Sequence, residues 1–181
     1  MKHNAATFLA AINSIASVGE PLPLQIAGAP MSNLAFILDS HQSGKTLSLV
    51  DVAARAMVAD LPVLFITLEA TESDIANRIR DNLAERDTAL GYSDGYDVVQ
   101  FMKADLELEG IAAAIRHCNY TRAPLALVCI DDLEILSATI RFSENLQDLK
   151  RCDFVSRLNE LALRENVAIV SSVSTRRRHA V

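Results

Sequence analysis

The sequence predicts an α/β fold, a mostly parallel sheet with helices on both faces, and three observations carry that prediction. Short, nearly continuous apolar runs recur along the chain, as in Leu34-Ala35-Phe36-Ile37-Leu38, Val63-Leu64-Phe65-Ile66 and Leu125-Ala126-Leu127-Val128-Cys129-Ile130. Segments of helical period separate these runs. The chain has 181 residues, half of them apolar, which suffices for one sizeable core and is short for two domains and a linker. A single domain over 21–181 is therefore expected, preceded by an amphipathic helix over 1–20 in which Phe8, Leu9, Ile12 and Ile15 recur at helical spacing.

Taken in order, Gly19-Glu20-Pro21-Leu22-Pro23 breaks regular structure, and a short apolar stretch leads to a second breaker at Gly28-Ala29-Pro30. Residues 33–38 read as a buried strand, 45–59 as a helix and 62–68 as a second strand. Thr71 opens the next helix, with Glu72 and Asp74 in its first turn favouring the positive end of the dipole and Ile75, Ile79 and Leu83 on one face. A loop over 91–95, a weaker strand over 98–102 and a helix from about 106 to 118 follow. Pro124 introduces the most apolar strand, which Asp131 and Asp132 end. A long helix from about 144 to 164 then carries Leu146, Leu149, Phe154, Leu158 and Leu161 near helical period, and a last strand covers 167–173.

Composition excludes several classes. The formal net charge of -6 argues against a uniformly basic nucleic-acid binder, and the one basic cluster is Arg176-Arg177-Arg178-His179. Cys118, Cys129 and Cys152 lack the paired spacing of a zinc site or a disulfide framework, so they read as reduced structural thiols of a cytoplasmic protein. No run approaches the roughly 18 apolar residues of a membrane span, so no membrane partner is expected.

The chemistry concentrates after the first strand. Ser43-Gly44-Lys45-Thr46 lies at a strand-to-helix junction, where backbone N–H groups, a lysine and a hydroxyl converge on an anion. Ser40, His41, Gln42, Ser43, Gly44, Lys45 and Thr46 are the expected nucleotide-binding residues. Lys45 would neutralise phosphate charge, and Thr46 would coordinate Mg²⁺. Asp131, at the end of the most buried strand, is the second expected Mg²⁺ ligand, and Glu69, ending another strand, is the residue expected to orient an attacking water. ATP and Mg²⁺ are the expected cofactors. Asp39 stands where the full phosphate-loop pattern has glycine, which adds a side chain at a tight turn and a negative charge near a triphosphate.

Phe65-Ile66-Thr67-Leu68-Glu69-Ala70-Thr71-Glu72, Leu127-Val128-Cys129-Ile130-Asp131-Asp132-Leu133-Glu134-Ile135-Leu136 and Val155-Ser156-Arg157-Leu158-Asn159-Glu160-Leu161-Ala162 resemble, in order, motifs of the DnaB-type replicative helicases. These are the hexameric branch of the RecA-like P-loop ATPases. The resemblance spans roughly residues 33–175. It implies a RecA-like P-loop NTPase fold, Lys45 and Thr46 on phosphate and Mg²⁺, Asp131 on Mg²⁺, Glu69 as the catalytic glutamate, and a role in DNA replication, recombination or a related process. Ser174 occupies the place of the family's polar sensor, usually glutamine. The chain also ends at Val181, before the DNA-binding loop and basic residues of those helicase domains. The expectation is thus a small stand-alone domain binding ATP and Mg²⁺, with weak or partner-dependent hydrolysis. Its partners would be copies of itself or another RecA-like ATPase, with Arg176, Arg177 and Arg178 able to reach a neighbour's phosphates or DNA, or else forming a solvated tail. The alternative is a non-catalytic interaction module that binds and regulates a related ATPase or helicase.

Overall fold

The computed structural model describes residues 25–28, 33–39, 44–68, 70–85, 96–100, 107–131 and 153–174. The expected N-terminal helix over 1–20, the loop over 91–95 and the Arg176-Arg177-Arg178 run lie outside them. The described strands are β1 (Gln25–Gly28), β2 (Leu34–Asp39), β3 (Val63–Thr67), β4 (Tyr96–Gln100), β5 (Leu127–Asp131) and β6 (Ala168–Ser174). The described helices are α1 (Lys45–Val58), α2 (Glu72–Glu85), α3 (Leu108–Thr121) and α4 (Asp153–Arg164).

The strands form one sheet in the order β1-β2-β6-β5-β3-β4, with β2 to β6 mutually parallel and β1 antiparallel to β2 at one edge. From β2 the chain crosses to β3 and on to β4 in one lateral direction, then returns through β5 to β6 in the other. Right-handed crossovers that run in opposite directions place their helices on opposite faces. The two cores follow that rule. Leu49, Ala53, Ile75, Ile79 and Leu83 of α1 and α2 pack on Ile37, Phe65, Cys129 and Val170. Ile111, Ile115, Leu158 and Leu161 of α3 and α4 pack on Phe36, Leu64, Ile66 and Ile169. With both faces covered, every residue of β3 and β5 is buried, which is why these strands read as unbroken apolar runs.

Two helices end in the same way. Asp60 and Asn166 take the left-handed conformation, with φ of 59° and 52°. Leu61 N–H donates to Ala56 O and Asp60 N–H to Met57 O, while Val167 N–H donates to Ala162 O and Asn166 N–H to Leu163 O. These paired bonds satisfy the last carbonyls of α1 and α4, and the apolar residue after each turn enters the core that its own helix covers. Short polar side chains tolerate this conformation better than branched ones, so neither turn needs glycine.

Three elements differ from expectation. β1 was expected only as an apolar lead-in to a breaker, because four residues at a sheet edge have too little periodicity to identify them. β4 begins at Tyr96, two residues before the strand expected over 98–102. α3 extends to Thr121 rather than 118. Of the helix expected over 144–164, the described part is α4. No helix among the described residues is long and apolar enough to cross a membrane.

Phe65 is fully buried between α1, α2 and the sheet, whereas Leu47 is 54 % exposed. Phe65→Ala is expected to lower the unfolding free energy by about 3–5 kcal/mol in urea denaturation. Leu47→Ala should change it by no more than about 0.5 kcal/mol.

Candidate functional site

Because β2, β6, β5 and β3 are parallel, their carboxyl ends meet along one edge, where Asp39 lies opposite Ser174 and Thr67 opposite Asp131. β6 separates β2 from β5, so the residues that end those two strands are about 10 Å apart across the sheet. The first turn of α1 closes this gap. Thr46 Oγ1 donates to Asp131 Oδ2 at 2.7 Å, joining residues 85 positions apart in the chain.

The start of α1 has an unusual charge pattern. Its N-cap is Gly44, which offers no side-chain oxygen to the first-turn amides, and no acidic residue lies in the first turn. Lys45 instead occupies the first helical position and is only 6 % exposed. A cation at the positive end of a helix dipole is unfavourable unless an anion is held there. α2 shows the ordinary arrangement, with Glu72 and Asp74 in its first turn and Thr71 Oγ1 accepting from Asp74 N–H at 3.2 Å. The two helix starts are thus opposite in the charge they carry.

Asp131 is 6 % exposed, and hydroxyls meet both of its carboxylate oxygens. Thr46 donates to Oδ2, and Ser172 Oγ donates to Oδ1 at 2.8 Å. Ser171, on the other face of β6, donates to Ile130 O at 2.9 Å. Sequence reasoning did not single out Ser172. The available signal was the pair Ser171-Ser172 inside the apolar run of β6, where a fully buried hydroxyl must find a partner. The same carboxylate acts on Cys129, which precedes it by two residues in β5. Burial first, and the Asp131 charge second, hold that thiol well above its ordinary value of 9.0. Cys118 and Cys129 are buried cysteines, while Cys152 lies outside the described residues.

Of the expected site residues, Gly44, Lys45, Thr46 and Asp131 are described and lie at this edge. Ser40, His41, Gln42, Ser43 and Glu69 lie outside the described residues. The chain on either side of Glu69 is anchored: Leu68 N–H donates to Asp131 O at 2.9 Å, and the Thr67 hydroxyl lies 3.2 Å from both the N–H and the carbonyl oxygen of Ala70. The expected steric objection to Asp39 is corrected. Asp39 is the last residue of β2 and pairs with Ser174, so its backbone is extended, a conformation that does not demand glycine. Ser174 is likewise the last residue of β6 and not a residue beyond the strand.

Thr46 and Asp131 together present a hydroxyl and a carboxylate, the hard oxygen donors that suit Mg²⁺. Among the described residues no group of three or more His, Cys, Asp or Glu gathers at one point. A magnesium ion held jointly with a phosphate needs no such cage, because it binds through one or two protein ligands, waters and the phosphate itself. No protein-family model matches the chain, and a search of curated proteins finds no similar one.

The raised thiol of Cys129 has a consequence for stability. Below pH 9.0 the thiol is protonated in both folded and unfolded chains. Above it the unfolded chain loses the proton while the folded chain keeps it, so stability falls as pH rises, by up to about 1.4 kcal/mol per pH unit from this group. Urea denaturation at pH 8 to 10.5 is expected to show a shallower decline for Cys129→Ala than for the wild type.

Proposed function

We propose that this chain is a RecA-like P-loop domain, similar to the ATPase domain of DnaB-type replicative helicases, that binds ATP together with Mg²⁺. The observation that carries the proposal is the 2.7 Å bond from Thr46 to Asp131, which joins the lysine loop to the acidic end of a strand two places away. In this reading the first-turn amides of α1 and Lys45 hold the phosphates, and Thr46 and Asp131 hold Mg²⁺. When bound, the ion neutralises phosphate charge. Glu69 as the residue that orients water rests on the resemblance.

Hydrolysis is weak or depends on a partner. Asp39 is the last residue of β2, and a carboxylate at that position of the sequence adds negative charge that opposes binding of a triphosphate. An arginine supplied by a neighbouring RecA-like subunit, or by another copy of this chain, would complete the charge stabilisation. The setting is cytoplasmic nucleic-acid metabolism, in replication, recombination or a related process.

Lys45→Ala is expected to abolish ATP binding in calorimetric titration with Mg²⁺ while leaving the fold intact; unchanged affinity would remove the lysine loop from the function. Asp131→Asn is expected to keep weak metal-free ATP binding and lose most of the gain that Mg²⁺ provides. If the wild-type chain binds neither ATP nor ADP at millimolar ligand with Mg²⁺, the non-catalytic interaction module replaces this reading.

A further inference from the structure

We propose that Ser172 is the positioning residue of the candidate cation site: its hydroxyl bond to Asp131 Oδ1 turns the carboxylate so that Oδ2 faces Thr46. This rests on the reading of Thr46 and Asp131 as the Mg²⁺ ligands and adds to it the residue that orients them. Ser172 is fully buried, so its hydroxyl has no bulk water to bond, and the carboxylate is the partner it takes. The side chain of an aspartate at a strand end can turn about its terminal bond. Here two donors fix that turn, one per oxygen and from different elements: Thr46 from α1 and Ser172 from β6.

The two bonds have different roles. Thr46 lies at the first turn of α1, next to the place a phosphate would occupy, so its bond to Oδ2 is the one that an arriving cation rearranges. Ser172 bonds the opposite oxygen from within the sheet, where its backbone pairs in register with Ile37. That bond therefore persists whether or not the cation is present. A carboxylate oriented beforehand spares the ion the cost of ordering its ligand, and loss of a residue that orients a metal ligand typically weakens metal affinity about 10–100-fold. Phosphate capture by Lys45 and the α1 amides does not pass through Ser172. Its loss should therefore act on the cation alone.

Ser171 supplies the internal control. It is an equally buried serine on the same strand, but its hydroxyl donates to the main-chain carbonyls of Ile130 and Ser172 and not to the carboxylate. The test is calorimetric titration of ATP into the full chain over a Mg²⁺ series and in chelator, for the wild type, Ser172→Ala, Ser171→Ala and Ser172→Thr. Ser172→Ala is expected to raise the Mg²⁺ concentration for half-maximal enhancement of ATP binding about tenfold or more. Its affinity in chelator should be unchanged, Ser171→Ala should match the wild type, and Ser172→Thr, which keeps the hydroxyl, should restore the wild-type Mg²⁺ dependence. A wild-type Mg²⁺ dependence in Ser172→Ala, or equal shifts in Ser171→Ala and Ser172→Ala, would overturn the positioning role while leaving the Mg²⁺–ATP reading in place. Absence of any Mg²⁺-dependent ATP binding in the wild type would overturn both. If Ser172→Ala does not fold, Ser172→Thr decides: a shifted Mg²⁺ dependence in that variant, despite its hydroxyl, overturns the role.

Discussion

The insertion of β6 between β2 and β5 is the constraint on which the rest of the structure depends. β6 is the last described strand in the chain, yet it lies in the interior of the sheet and pairs on both sides. It joins the strand that leads to the lysine loop to the strand that ends at Asp131. It also sets the distance between them, which the first turn of α1 then bridges. Because the chain reaches β6 only after reversing direction at β4, the helices divide between the two faces, and each face receives its own apolar layer.

At the carboxyl edge this architecture places a buried carboxylate among neutral hydroxyl donors. Removing a charged carboxylate from water is costly unless its oxygens are hydrogen-bonded. Thr46 and Ser172 meet that need with bonds of 2.7 and 2.8 Å from opposite sides. The start of α1 makes the complementary concession: Lys45 adds positive charge to an end of the helix that is already positive. Such a start is weaker as an isolated helix and stronger as an anion site. The start of α2, with its Thr71 cap and two acidic residues, has the conventional arrangement.

Much of this was legible in the sequence. The apolar runs at 34–38, 63–68 and 125–130 announced buried strands because a sheet covered on both faces leaves no position for a polar alternation. The motif Gly44-Lys45-Thr46 marked the start of α1, and Asp131 marked the end of the most apolar run. β1 was not legible, since a four-residue edge strand is specified by its antiparallel partner rather than by its own pattern. The extended backbone of Asp39 was also hidden. A motif comparison weighs the residue type against glycine, whereas the strand pairing with Ser174 decides its conformation.

By itself the sequence marked the described strands and helices other than β1, and the residue types able to carry chemistry, because local periodicity and residue chemistry act over a few positions. The tertiary structure alone decided that Thr46 and Ser172 converge on the two oxygens of one carboxylate. Residues 85 and 41 positions from Asp131 meet it only through the strand order, and strand order is a long-range choice that no local window encodes.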